Sequence, residues 1–173
     1  MLISIVIILA AVLADQATKL LVINFLDREE PLEIIPNVFR FTYVENRGAA
    51  FGMLDDKRWV FMIISTIAII GLLIYLLKFS GNNKLLNIGL SLVIGGGIGN
   101  MIDRVAYGYV VDFLDFCAFP KVWMWVFNVA DSCVCIGAGL IALYLIIDIV
   151  KEAKKGKQTT TSESAEENKE TEA

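Results

Sequence analysis

Two aspartates stand where a carboxylate has few structural reasons to be: Asp112 in Val110-Val111-Asp112-Phe113, and Asp131 after Phe127-Asn128-Val129-Ala130 and before a long apolar run. Carboxyl groups close together in a medium of low dielectric cannot both ionise cheaply, so such a pair holds one proton between them. That provides an acid and a base in one place. The ionised member can activate water, while the protonated member donates to a carbonyl oxygen and stabilises the developing oxyanion. The chain contains no histidine, which removes Ser-His and Cys-His nucleophile pairs and the commonest transition-metal ligand. No metal ligand set or cofactor motif is evident. Intramembrane Asp pairs also serve proton and ion pathways, so spacing by itself leaves both chemistries open.

Other polar residues interrupt apolar runs at helical spacing. Asp15 and Lys19 are four apart and share a helix face, either as an ion pair that orients the segment or as direct substrate contacts. Asn100, Asp103 and Arg104 again share a face. They read either as a buried pair with an amide beside it or as part of a site. Asn128 lies three residues before Asp131. Asp115 is better read as a solvated or capping residue than as a member of the site. Gly95, Gly96, Gly97 and Gly99 remove side chains where another helix or a ligand backbone could come close.

Four segments are long and apolar enough to carry these residues across a bilayer: Leu2–Ile23, Trp59–Leu77, Leu85–Ile102 and Val122–Ile147. The first lacks a basic residue before Lys19, so it reads as a retained span rather than a cleaved secretory leader. The basic cluster Lys151, Lys154, Lys155 and Lys157 follows the fourth span and puts the C-terminus in the cytoplasm. With four spans the N-terminus lies there too, as does the loop holding Lys78 and Lys84. The segments 24–58 and 104–121 then face outward, although the first also carries Arg28, Arg40, Arg47, Lys57 and Arg58. Phe39, Phe41 and Tyr43 alternate with Arg40, Thr42 and Val44, and Tyr107–Phe113 is rich in aromatic and β-branched residues, so a small β region at the membrane surface is predicted. The expected architecture is a membrane all-α fold of four transmembrane helices with a small extracytoplasmic β region resting on the membrane surface. Residues 1–150 form the membrane domain, and residues 151–173 form a basic, then acidic, disordered cytoplasmic tail.

Composition agrees with lipid as the solvent: 57% of the 173 residues are hydrophobic and the mean hydropathy is +0.66. The net charge of −4 averages a basic cluster with an acidic tail. No basic stripe is interleaved with aromatics, which argues against nucleic acid. Three cysteines imply no disulfide framework, and Cys133 and Cys135 lie in an apolar run. A proton or cation transporter is the chief alternative, with Asp15, Asp103, Asp112 and Asp131 as a relay. Such a relay should reach both faces, yet the inner halves of the spans offer only Ser4, Ser65, Thr66, Tyr75, Ser91 and Tyr144. A non-catalytic scaffold or lipid-binding module would leave the Asp112 and Asp131 pair without a purpose.

Five motifs carry a family resemblance over residues 2 to 150: Asp15-Gln16-x-x-Lys19, Asn46-x-Gly48-Ala49-Ala50-Phe51-Gly52, Gly99-Asn100-x-x-Asp103-Arg104, Val111-Asp112-Phe113, and Phe127-Asn128-x-Ala130-Asp131-Ser132. In this order on a four-span frame, the chain resembles the lipoprotein signal peptidases, or signal peptidases II. The resemblance implies an aspartyl endopeptidase of the bacterial inner membrane that needs no cofactor. Its substrates would be prolipoproteins carrying a diacylglyceryl-modified cysteine, cut just before that cysteine, with membrane lipid as its surroundings. It further implies that Asp112 and Asp131 are catalytic and that Asp15, Lys19, Asn46, Asn100, Asp103, Arg104 and Asn128 line or support the site. Asn46, Gly48 and Phe51 would form a cover, with Phe51 meeting the lipid or the signal helix.

Overall fold

A computed structural model describes residues 1–48, 58–81, 83–118 and 125–171. Four helices, α1 (Leu2–Phe25), α2 (Arg58–Lys78), α3 (Lys84–Ala106) and α4 (Val129–Thr171), are accompanied by four strands, β1 (Leu32–Ile35), β2 (Phe39–Asn46), β3 (Val110–Phe116) and β4 (Val126–Phe127). The strands form one antiparallel sheet in the order β1-β2-β3-β4.

Among the described residues three helical stretches have the length and apolar composition to cross a membrane: Leu2–Phe25, Lys84–Ala106 and Val129–Lys154. Within α2 the described residues give a shorter apolar stretch, Met62–Lys78. The expectation of four spans is therefore met for three. The helices turn large aliphatic side chains outward, among them Leu9, Leu13, Ile63, Ile67 and Ile146. Such a continuous apolar exterior is prohibitive in water and natural in hydrocarbon.

α3 is the hub, packed by α1, α2 and α4. Its glycine run lets all three approach: Gly95 faces Ile8 and Ala11 of α1, Gly96 the Ala130 carbonyl of α4, and Gly97 Ile69 of α2. Leu76, Leu86, Leu90 and Ile94 form an apolar core, joined by Ile8, Ile69, Ile98 and Ile141. The buried polar residues Asp15, Lys19, Asp103, Asp112 and Asn128 gather towards the sheet end.

The sheet returns the chain over the end of α3. After Ala106, Tyr107 caps the helix with its N–H on the Asp103 carbonyl (2.7 Å), and Gly108 takes φ +84°. This left-handed residue just past the helix ends it abruptly and turns the chain into β3. Between β1 and β2, Pro36 and Asn37 (φ +60°) form the corner, closed by Val38 N–H on the Ile35 carbonyl at 3.0 Å. Proline followed by a left-handed asparagine suits a type II turn.

Three boundaries depart from the sequence expectation. The fourth span begins at Val129 rather than Val122, because Val126 and Phe127 pair with β3 and Asn128 then caps the helix. The second strand segment is Val110–Phe116 rather than Tyr107–Phe113, since Tyr107 and Gly108 are spent on leaving α3. The stretch 151–173, expected to be a disordered tail, is helical as far as Thr171. A helix already nucleated by an apolar span extends into a Thr-, Ser- and Glu-rich stretch without a new nucleation cost.

Candidate active site

Asp131 sits in the first turn of α4, where a reciprocal cap holds it. The Asn128 Oδ1 accepts the Asp131 N–H at 2.8 Å, and the Asp131 Oδ2 accepts the Asn128 N–H at 3.3 Å. This is capping-box geometry, with an acid answering the capping amide three residues on. The next orphan donor of the turn, Ala130 N–H, is satisfied from another helix, by Asp15 Oδ1 at 2.9 Å. Asp15 therefore anchors the segment that presents Asp131.

Asp112 is held by the sheet. The register pairs Val44 with Asp112 and Asn46 with Val110, after an irregularity in β2 between Phe41 and Val44. Asn46 is thus a diagonal neighbour of Asp112 on one face, close enough to interact, and its Nδ2 donates to Asp112 Oδ2 at 2.8 Å. Its own Oδ1 accepts Gly48 N–H at 3.2 Å. Asp103 Oδ2 accepts the N–H of Val111, the residue before Asp112, at 3.0 Å.

One cation joins the two anchors. Lys19 Nζ lies 2.9 Å from Asp15 Oδ2 and 2.8 Å from Asp103 Oδ2, and donates to Asn100 Oδ1 at 3.0 Å. Lys19 is 1% exposed, and Asp15 and Asp103 are fully buried. Three acceptors use all three ammonium donors. The sequence left Asp15 and Lys19 open between an orienting pair and a substrate contact. Their burial and saturated bonding make them an orienting pair that also reaches α3 and α4. Close approach is required here, since a Cβ on Gly99 would stand 2.5 Å from Asp15 Oδ2.

Amides bridge the remaining gap. Asn128 Nδ2 donates to Asp112 Oδ1 at 2.7 Å and to Asn100 Oδ1 at 3.0 Å, while Asn100 Nδ2 donates to Asp131 Oδ1 at 2.7 Å. The Asp112 and Asp131 carboxyl groups are therefore linked through two asparagines, and both line a cavity of about 330 Å³. Asn46, Gly48 and Arg104 share that cavity, with Trp125, Val126, Phe127, Val134 and Cys135 as its more apolar wall. The Arg104 guanidinium exerts its charge on Asp131, Asp112 and Asp103. The Asp112 carboxyl, on a strand outside the helices, is pushed up to about 7. Burial is the main cause and the charge of Asp131 the second, against hydrogen bonds from Asn46 and Asn128 that lower it. An acid that holds its proton near neutrality beside a second carboxylate can work as an acid and base pair.

Of the residues singled out from the sequence, Asp15, Lys19, Asn46, Gly48, Asn100, Asp103, Arg104, Asp112, Asn128 and Asp131 belong to this one connected region. Phe51 and the cover built around it lie outside the described residues. Asp115 is neither solvated nor capping: it is 9% exposed, and its Oδ2 accepts from Arg40 Nε at 2.6 Å and Thr42 Oγ1 at 3.1 Å. The direct register of Arg40 opposite Asp115 explains the pair.

Sequence reasoning quoted Gln16 in the first motif without giving it a role; its Nε2 donates to Asp103 Oδ1 at 2.9 Å and to the Gly99 carbonyl at 3.2 Å. Its place beside Asp15 in an apolar helix was the available signal. The wall residues Val134 and Cys135 were likewise missed, although they follow Asp131 by three and four positions on one helix face.

An apolar helical bundle with a buried carboxylate and amide cluster opening into a cavity at one end defines a membrane protein with a site suited to acid–base chemistry. Comparison with known proteins makes the class specific. Residues 7–147 match the family model for Signal peptidase (SPase) II. The lipoprotein signal peptidase of Halothermothrix orenii is 47% identical over 140 residues, covering 81% of this chain and 92% of that protein. That of Symbiobacterium thermophilum is 47% identical over 148 residues, covering 83% and 94%. A solved bacterial membrane enzyme, determined by the in meso method, aligns with a TM-score of 0.79 at 37% identity, covering 84% of this chain and 88% of its own. The chain belongs to the signal peptidase II family and is a protease of the aspartic type known for that family, acting on lipoprotein precursors in a bacterial membrane.

Proposed function

We propose that Asp112 and Asp131 are the catalytic pair of an endopeptidase that removes the signal peptide of prolipoproteins, cutting just before the diacylglyceryl-modified cysteine. The observation that carries the reading is a single cavity lined by both carboxyl groups, which Asn128 and Asn100 tie together. With one proton on the pair, the ionised carboxylate takes a proton from water as its oxygen attacks the scissile carbonyl. The protonated carboxyl donates to the carbonyl oxygen, and the resulting tetrahedral intermediate collapses when the amide nitrogen receives a proton and leaves. Asn46, Asn100 and Asn128 hold the two carboxyl groups, and Arg104 tempers their charge. Asp15, Lys19 and Asp103 fix the backbone beneath them. Gly48 and Phe51 would help to cover the bound peptide.

An apolar signal helix with a lipid-bearing end cannot leave the bilayer without a large hydrophobic cost, so the chemistry must come to the membrane surface. α2, at 21 residues, extends about 32 Å, and this length supports a fourth crossing. Both termini then face the cytoplasm, with the sheet and cavity at the outer face. The basic residues Lys78, Lys84, Lys151 and Lys154 at the other end favour this orientation.

Asp112→Asn or Asp131→Asn should lower cleavage of a lipid-modified precursor by about a thousandfold or more, while the protein remains inserted and monodisperse in detergent. Full activity in either variant would overturn the assignment. Transport is the poorer reading, because the connected polar residues gather at one end of the bundle and the core between Leu76, Leu86, Leu90 and Ile94 is apolar.

A further inference from the structure

A second cavity, of about 410 Å³, lies between the first turns of α1 and α3, far from the carboxylate cluster. Ile3, Ser4 and Ile7 line one side, and Lys84, Asn87 and Ile88 the other. Along α1, Ser4 is fifteen positions from Lys19, or about 22 Å. The cavity belongs to the opposite end of the bundle.

One polar atom of its lining is buried and unsatisfied. Ser4, 4% exposed, turns its hydroxyl-bearing side chain to this cavity. Asn87 donates its Nδ2 to the Gly81 carbonyl at 3.1 Å, but its buried Oδ1 has no partner. Buried polar groups nearly always find partners, because losing water without replacement is costly. Neither group has a part in the proposed cleavage. Asn87 Oδ1 needs a hydroxyl or N–H donor, and the Ser4 hydroxyl can donate to an acceptor placed next to the cationic Lys84. The surrounding Ile3, Ile7 and Ile88 suit a hydrocarbon chain.

We infer that this cavity binds one anionic glycerophospholipid with a hydroxyl-bearing headgroup. The phosphate would accept from Ser4 and Lys84, the headgroup hydroxyl would donate to Asn87 Oδ1, and an acyl chain would lie along the isoleucines. Size fits, since ligand cavities commonly enclose about 300–1,000 Å³. Lys78 and the α4 residues Lys151 and Lys154 add positive potential at the same end, which favours anionic lipid. The assignment to the cytoplasmic leaflet rests on the orientation proposed above, whereas the site itself does not.

The test is native mass spectrometry of the delipidated enzyme in detergent, titrated in parallel with phosphatidylglycerol, phosphatidylcholine and inorganic phosphate. One phosphatidylglycerol should bind at least about tenfold more tightly than phosphatidylcholine, and inorganic phosphate should not displace it. Lys84→Ala and Asn87→Leu should each weaken binding about tenfold, with precursor cleavage in detergent within about twofold of the parent. Lys84 is exposed, so its variant folds, and Ser4→Val replaces Asn87→Leu if the latter does not. Equal retention of both lipids would make this an unspecific lipid contact and overturn the inference. So would displacement by inorganic phosphate, or parental binding by a folded Asn87→Leu or Ser4→Val protein. Loss of the dyad reading would appear instead as unaltered cleavage in the aspartate variants, with lipid binding untouched.

Discussion

Lys19 carries more of the arrangement than its distance from the cavity wall suggests. Its ammonium touches Asp15, which holds Ala130 N–H ahead of Asp131, and Asp103, which holds Val111 N–H ahead of Asp112. Lys19→Met would leave the buried Asp15 and Asp103 carboxylates without the ammonium that bridges them, a change worth about 3–5 kcal/mol. Thermal unfolding in detergent should register that loss together with a fall in kcat. Lys19→Arg should not restore either quantity, because a planar guanidinium cannot direct donors at three acceptors set around a compact ammonium. Asp112 sets the pH response. Its folded pKa lies near 7 against a usual 3.8, so the folded state binds the proton more tightly than the unfolded one. The stability this provides is present at acidic pH and fades as pH rises through about 7. The melting temperature should fall from pH 5 to pH 8, and this slope should flatten in Asp112→Asn. Cleavage should decline over the same alkaline limb as the pair loses its remaining proton.

At the level of elements, the amino end of α4 and the strand β3 meet through Asn128, whose side chain does two separable jobs. Its Oδ1 caps α4, and its Nδ2 reaches Asp112 and Asn100. Serine can cap but cannot bridge. Asn128→Ser should therefore keep melting within a few degrees of the parent, while kcat falls about 10–100-fold, the equivalent of one or two hydrogen bonds to a charged group. Asn128→Ala should lose the cap as well, at about 1 kcal/mol. A similar loss of stability and kcat in both variants would show that the amide bridge has no role of its own.

For the whole molecule, the outward aliphatic faces and the polar end of the bundle define a membrane protein with one chemically distinct side. A single cysteine at Asn37, in a background in which Cys117, Cys133 and Cys135 are replaced, should react in intact cells with a membrane-impermeant maleimide. A cysteine at Lys154 should react only after permeabilisation. The reverse pattern would invert the proposed orientation. With three spans found among the described residues and the crossing by α2 proposed, the N-terminal side of α2 is the most informative place to extend such labelling.

The misplaced polar residues were legible from sequence because burial of charge in apolar runs is rare enough to stand out. Helical spacing also grouped Asp15 with Lys19, Asn100 with Asp103 and Arg104, and Asn128 with Asp131. The aromatic and β-branched alternation of residues 39–44 likewise announced β2. Strand limits were less legible, since a capping asparagine and a left-handed glycine decide where α4 starts and where β3 begins. Pairing across elements was beyond local pattern. That Arg40 neutralises Asp115, that Lys19 serves two carboxylates on different helices, and that Gln16 spans to Gly99 depend on register and helix approach. Local periodicity determines which residues share a face. The tertiary structure decides which faces meet, because contacts between residues far apart in the chain are set by packing around α3 and by the sheet that folds Asp112 back towards Asp131.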